Sequence, residues 1–302
     1  MEEEEKQEFN VMTDIEQLQN YIKDSESTKI VELLCKRNNS ERQKIKEYYY
    51  STFGIELEKE LDSKLSGKLK DFIKGLLMTP EDFDANEIYK SMKGLGTDEL
   101  KLSEIIATRP SRHLLSVKER YPILFNETLD QDIKGDTSKC YQKILIAIIQ
   151  GKRSDNPYPD SQKMKEIVEK LNGGDKGKIQ EDALVQYFGS CSYGEICTIC
   201  RLYEKTYKES ILDAIKNSVD SDAYDFFNIL LRYISDSGSY FAEKLHTFKE
   251  DDLNRILISR SEVNMDEIRD AYKEMYKTDL VDDLKEKTEG DYQLGLTMLA
   301  QK

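Results

Sequence analysis

The chain has 302 residues, 38% hydrophobic and 34% charged, with a formal net charge of -14; this balance describes a soluble globular protein and excludes a disordered one, and the length allows two domains. So acidic a chain is a poor partner for nucleic acid, which rewards Lys and Arg, and is repelled by anionic lipid unless a cation bridges the two. The first eight residues, Met1-Glu-Glu-Glu-Glu-Lys-Gln-Glu8, are acidic where a secretory signal is basic and then apolar, and the longest apolar run, Ile144 to Ile149, is too short to span a bilayer.

Residues 1–12 read as an acidic tail, after which the chain repeats itself. Aligned on Arg37, Arg109, Cys191 and Arg260, every copy has a tyrosine twelve residues on (Tyr49, Tyr121, Tyr203, Tyr272) and an aromatic sixteen residues on (Phe53, Phe125, Tyr207, Tyr276). Aliphatic residues agree at twenty (Leu57, Leu129, Ile211, Leu280) and twenty-four (Leu61, Ile133, Ile215, Leu284), and apolar ones at thirty-six (Ile73, Leu145, Phe227, Leu296). The anchors are 72, 82 and 69 residues apart, so the chain is a fourfold repeat. Its copies are expected at 13–80, 81–152, 161–236 and 237–302, with 153–160 a turn-rich linker and Thr79-Pro80-Glu81 a tight junction.

Apolar spacings within each copy are helical and no segment keeps strict alternation, so the fold class is all-α, with about five short helices per copy. In the second copy these fall near Asp84 to Ser91, Asp98 to Thr108, Ser111 to Tyr121, Asn126 to Lys134 and Thr137 to Gln150, with Ser, Asp, Asn and Thr at the N-caps.

Between the first two of these helices runs Met92-Lys-Gly-Leu-Gly-Thr-Asp-Glu99. Two glycines one residue apart expose carbonyl oxygens that side chains would cover, and bare carbonyls suit a hard cation. Such a cation also needs a carboxylate from elsewhere, for which Asp136 is the candidate; the glycines are equally consistent with a plain turn between helices. Other chemistry finds little support. Five cysteines fit a reducing compartment, and Cys191, Cys197 and Cys200 lack a fourth Cys or His at zinc-ligand spacing. Neither His113 nor His246 sits in a nucleophile arrangement, and no P-loop, G-x-S-x-G or G-x-G-x-x-G occurs, so no enzyme is expected.

Four copies of about 70 residues, the glycine loop after a first helix, and an acid forty residues beyond its second glycine resemble the annexin family over nearly the whole chain. The resemblance implies a right-handed superhelical, slightly curved disc whose convex face carries Ca²⁺ as cofactor, bridging the protein to an anionic phospholipid membrane surface. The protein would then be cytoplasmic and peripheral on the cytoplasmic face of membranes. Residue by residue it implies the carbonyls of Met92, Gly94 and Gly96 with the carboxylate of Asp136 as the primary Ca²⁺ ligands, and Thr97 and Glu99 as a weaker second position. Copies one and four depart from the pattern: Ile22-Lys-Asp-Ser-Glu-Ser27 and Thr247-Phe-Lys-Glu-Asp251 lack glycine, and Lys64 and Lys287 replace the acid. Copy three keeps Gly173, Gly174 and Gly177, but Ser218 takes the acidic position and Asp220 is the nearest substitute. An EF-hand reading of that loop fails at Gly174, Lys176 and Ala183, where acids are wanted.

The resemblance further matches Asp84, Glu87, Glu104, Arg109 and Arg255 to a hydrophilic core between two halves of the molecule, read as a structural ion-pair network rather than an ion path. Erosion of the lipid sites resembles that in divergent protist annexins, including the α-giardins. It leaves open an alternative function, a calcium-independent helical scaffold for cytoskeletal or other proteins.

Overall fold

The structure is a computed structural model that describes residues 9–94, 96–156, 158–173 and 177–302. Among these residues it has twenty α-helices, and the one extended pairing is an isolated antiparallel bridge between Asn172 and Ile179. The first copy holds α1 (Val11–Asp24), α2 (Ser27–Lys36), α3 (Asn39–Phe53), α4 (Leu57–Lys64) and α5 (Gly67–Leu77). The second holds α6 (Pro80–Met92), α7 (Glu99–Thr108), α8 (Ser111–Phe125), α9 (Leu129–Asp136) and α10 (Lys139–Ile149). The third holds α11 (Ser161–Leu171), α12 (Glu181–Ser190), α13 (Tyr193–Tyr207), α14 (Ile211–Lys216) and α15 (Ser221–Ser235), and the fourth α16 (Ser237–Leu245), α17 (Glu250–Arg260), α18 (Met265–Tyr276), α19 (Leu280–Lys287) and α20 (Gly290–Ala300).

These helices gather into two compact units. The first and fourth copies, to Pro80 and from Gly238 to Lys302, make one, and Glu81–Ser237 makes the other. Inside the first unit α2 packs along α20; inside the second, α7 packs along α15 and α10 along α12.

The repeat register has a direct physical basis. The two aromatic positions are i and i+4 on the third helix of each copy, and their rings meet at 4.8, 4.9, 4.8 and 4.9 Å between centroids in copies one to four. The apolar positions at twenty, twenty-four and thirty-six are buried in every copy, each worth about 1.5–3 kcal/mol in apolar burial. The tyrosine hydroxyl does further work: Tyr49 donates to Glu60, Tyr121 to Asp132 at 2.7 Å and Tyr272 to Asp283 at 2.7 Å, tying the third helix to the fourth. Copy three lacks this clasp, because Ala214 stands where the acid would be.

Helix boundaries in the second copy differ from expectation at three places, each for a local reason. The first helix starts at Pro80 rather than Asp84, the fixed φ of proline being suited to a first turn. The third helix continues through Pro122 to Phe125, and Asn126 closes it in the left-handed region (φ 59°) instead of opening the next. Thr128 opens α9 in its place, with a reciprocal capping box to Gln131. Thr137 closes α9 instead of opening α10, so the fourth helix runs past Lys134 and ends at Asp136.

The residue after the third helix is left-handed in all four copies: Gly54 (φ 71°), Asn126 (59°), Lys208 (58°) and Lys277 (62°). Glycine takes that conformation without the Cβ strain a lysine bears. Lys208→Gly is therefore expected to stabilise the protein by about 0.5–1 kcal/mol, less the greater chain entropy of unfolded glycine; urea unfolding of the variant checks this, and a loss of stability would contradict it.

Candidate functional site

The loop between α6 and α7 is held open by its backbone. Gly94 and Gly96 adopt φ of 126° and 95°, and a Cβ at either would point into empty space, so backbone conformation and not crowding selects glycine. Asp98 N–H donates to Ser91 O at 2.7 Å and closes the loop at its base. The Asp98 side chain caps α7 by accepting from Lys101 N–H at 3.0 Å. Among the described residues, no hydrogen bond ends on the carbonyls of Met92, Gly94, Gly96 or Thr97. Free carbonyls are what a hard cation requires.

Asp136 reaches the same region from α9. Thr97 Oγ1 donates to Asp136 O at 3.3 Å and pins the loop beside the end of that helix. The Asp136 side chain is 31% exposed, and Lys93 Nζ stands 4.0 Å from its carboxylate and 3.1 Å from that of Asp132. The Asp132 hydrogen bond, followed by the charges of Asp132 and Asp136, holds the Lys93 ammonium above its usual pKa. Asp132 itself is 7% exposed and accepts from Tyr121, whose hydroxyl is kept protonated chiefly by burial and then by that bond. Helix carbonyls and two carboxylates thus concentrate negative potential at the end of α9, the dipole end that favours cations. Glu99 begins α7 half-buried, and its carbonyl accepts from Tyr141 at 3.0 Å. Among the described residues no three His, Cys, Asp or Glu side chains cluster as metal ligands, so a cation here would rest mainly on carbonyls.

The other copies are built differently. In copy one, Ser25 turns left-handed (φ 57°) and the carbonyls of Ile22 and Tyr21 are consumed by Ser25 and Glu26 N–H. In copy four, Phe248 is left-handed (φ 52°) and Leu245 O and Lys244 O accept from Phe248 and Thr247. Lys64 and Lys287 are exposed at the ends of α4 and α19. Copy three's loop is pinched at its base, Gly173 N–H to Lys178 O at 3.1 Å and Gln180 N–H to Leu171 O at 2.9 Å, with Gly177 at φ 79°; Gly174 and Lys176 lie outside the described residues. Ser218 Oγ accepts from Ile179 N–H at 2.8 Å. Both carboxylate oxygens of Asp220 are engaged, by Ala223 N–H at 3.2 Å and Cys140 N–H at 3.1 Å.

Of the residues matched to a polar core, Asp84 accepts a two-pronged bond from Arg109 (2.7 and 2.9 Å) and a third from His113 at 2.7 Å, all inside the second unit. Burial raises the Asp84 pKa, and Arg109 and His113 more than reverse that, leaving it well below the usual carboxylate range. Glu87 pairs with Lys101 at 2.7 Å and Lys90 at 3.0 Å. Glu104 is buried on α7 of the second unit, and Arg255, buried on α17 of the first, pairs with Asp252. Sequence reasoning missed His113, Lys101 and the acids that take the tyrosine hydroxyls. The last were visible in the register, as Glu60, Asp132 and Asp283 all lie twenty-three residues past their anchors.

Fold and loop together define a class: four-copy, all-helical repeat proteins in which a glycine turn between helices presents oxygen donors. Comparison with known proteins narrows it. The family model described as Annexin matches residues 14–76, 83–148 and 240–299. Human annexin A13 is 33% identical over 278 residues, 89% of this chain and 88% of that protein. Annexin III superposes with a TM-score of 0.92 at 28% identity, over 98% of this chain and 95% of that one. A structure titled calcium-bound annexin (Sm)1 gives 0.87 at 25% identity, covering 97% and 90%. The chain belongs to the annexin family, whose members generally bind phospholipid in a calcium-dependent way.

Proposed function

We propose that this protein binds anionic phospholipid through a Ca²⁺ bridge at the α6–α7 loop, acting as a binding protein and not an enzyme. The observation that carries the reading is the set of carbonyls at Met92, Gly94 and Gly96 that accept no hydrogen bond among the described residues, pinned by Thr97 beside Asp136. Ca²⁺ held there supplies positive charge shared between these oxygens and a lipid phosphate. The chain's own part is to keep the carbonyls open with the two glycines, to provide one carboxylate, and to withdraw Lys93 toward Asp132. Thr97 and Glu99 form the weaker second position. Among the four copies only the second has both glycines and the acid; copy three, with Gly173, Gly174, Gly177 and Asp220, contributes at most a subsidiary site, since Asp220 already accepts two backbone bonds.

A donor set of mostly neutral carbonyls resembles low-charge sites that bind Ca²⁺ at about 10⁻⁴–10⁻³ M. Calcium and lipid then raise each other's affinity by the same factor, and with one site the gain from multivalency is largely lost. Sedimentation with phosphatidylserine vesicles is expected to need Ca²⁺ in the upper part of that range, to reverse with chelator and to weaken with salt. Full sedimentation in excess chelator would overturn the reading in favour of a calcium-independent scaffold. No helix among the described residues is long and apolar enough to cross a membrane, which accords with peripheral attachment.

A further inference from the structure

A second site is indicated in the unit formed by copies two and three, at a cleft of about 290 Å³ where the linker residue Arg153 meets the starts of α8 and α13. Arg153 is half-buried in a strongly acidic chain, yet no carboxylate among the described residues lies within ion-pair distance of it. Its Nη1 donates to Cys191 O at 2.7 Å, and its guanidinium lies 4.8 Å from the Tyr193 ring centre. Burial disfavours its charge and lowers its pKa, with only the neutral groups of Tyr193 and Cys191 acting the other way. Arg109, buried in the same unit, is by contrast met by Asp84 on two nitrogens. Arg153 is therefore a cation that no carboxylate among the described residues pairs with.

The rest of the lining suits an anion. Pro110 precedes α8 and offers no side-chain cap, which leaves the first N–H groups of that helix, from Ser111 onward, without partners of the usual kind. At α13 the Ser192–Glu195 capping box consumes the N–H groups of those two residues, and Tyr193 and Gly194 between them line the cleft. Ser111 Oγ is enclosed and has no hydrogen-bond partner among the described residues. Asp155, the acid on the lining, is exposed and forms no ion pair with Arg153. The volume lies just below the usual range for ligand pockets, roughly 300–1,000 Å³, room for a phosphoryl group together with part of the group it esterifies.

We propose that this cleft binds a phosphate monoester, held by the Arg153 guanidinium, by the backbone N–H groups opening α8 and α13, and by the Ser111 hydroxyl. A guanidinium fork matches phosphate oxygens, and helix starts add N–H donors and positive potential. The site is remote from the calcium loop in residues and in chemistry: it supplies donors, where the loop supplies acceptors.

The test is a titration of the full chain with inorganic phosphate in excess chelator at constant ionic strength, followed by ¹H–¹⁵N spectra, so its outcome does not depend on the calcium reading. Saturable shifts are expected at the amides of Ser111, Arg112, Tyr193 and Gly194, with Arg153→Gln weakening binding at least about tenfold and Ser111→Ala several-fold. Absence of saturation, equal shifts with chloride, or an unchanged dissociation constant in Arg153→Gln overturns the proposal. If Arg153→Gln disturbs the fold, Ser111→Ala decides, and unchanged binding in it is the overturning result. Glycerophosphate and vesicles containing phosphatidic acid, again in chelator, distinguish the source of the group. Vesicle binding lost in Arg153→Gln assigns a lipid headgroup, and binding of glycerophosphate alone assigns a soluble ester.

Discussion

Asp136→Ala is expected to weaken Ca²⁺ binding by on the order of 100-fold, because ligands are worth at least what their supporting groups are, while leaving the fold unchanged. Asp136 is the one acid at the equivalent place in the four copies, the others being Lys64, Ser218 and Lys287. Its side chain is partly exposed and contributes no apolar contact to the core, and a carboxylate at the end of α9 opposes the helix dipole by about 0.3–1 kcal/mol. Its removal should thus be neutral or slightly stabilising without calcium. Calorimetric titration beside a thermal melt separates the two effects. Undiminished calcium binding by a folded variant would show that the loop's ligands lie elsewhere.

Asp84→Ala should cost about 3–5 kcal/mol at neutral pH, the usual penalty for leaving one partner of a buried ion pair behind. Asp84 and Arg109 have side chains 3% and 5% exposed, and alanine offers no acceptor for the two bonds that Arg109 makes to the Asp84 carboxylate. Because the folded pKa of Asp84 is depressed, the pair's stabilisation is fully present above the unfolded value of about 3.9 and is lost as pH falls below it. The gap between wild type and variant should therefore be wide at pH 7 and narrow progressively below about pH 4. Urea unfolding across that range measures it, and a gap under 1 kcal/mol at pH 7 would mean that the pair is not worth what its burial implies.

What could be read from the sequence, and what could not, follows from where the information resides. Side-chain periodicity is carried by residue identity, so the four tyrosine and aromatic pairs, and the all-helical class, were visible before any coordinates. Turn conformation is legible only where one residue type dominates it. Gly94 and Gly96 announced their left-handed backbone, whereas Lys208 and Lys277 occupy the same region with nothing in their chemistry to say so. Asn126 misled for a related reason: asparagine serves both at the start of a helix and just past its end, and only the Thr128–Gln131 box decides between them. In the site itself, carbonyl ligands belong to the backbone and leave no mark in the alphabet. The closeness of Lys93 to both Asp132 and Asp136 depends on how α6 and α9 pack, and no local pattern encodes that.

The first unit is made of two pieces of chain separated by the whole of the second. Its contacts join residues more than 200 positions apart: Ser27 and Thr28 donate to Asp291, Cys35 Sγ lies 3.9 Å from Gly295 O, and the Phe72 ring meets Tyr292 at 6.0 Å. During synthesis on a ribosome the second unit emerges as one uninterrupted stretch and can close at once. The apolar faces of α2 and α5 must meanwhile wait for α20, roughly ten to fifty seconds at about 5–20 residues per second. That interval is long beside the microseconds to seconds in which small domains collapse, so the newborn first copy is the segment of this chain most in need of a chaperone.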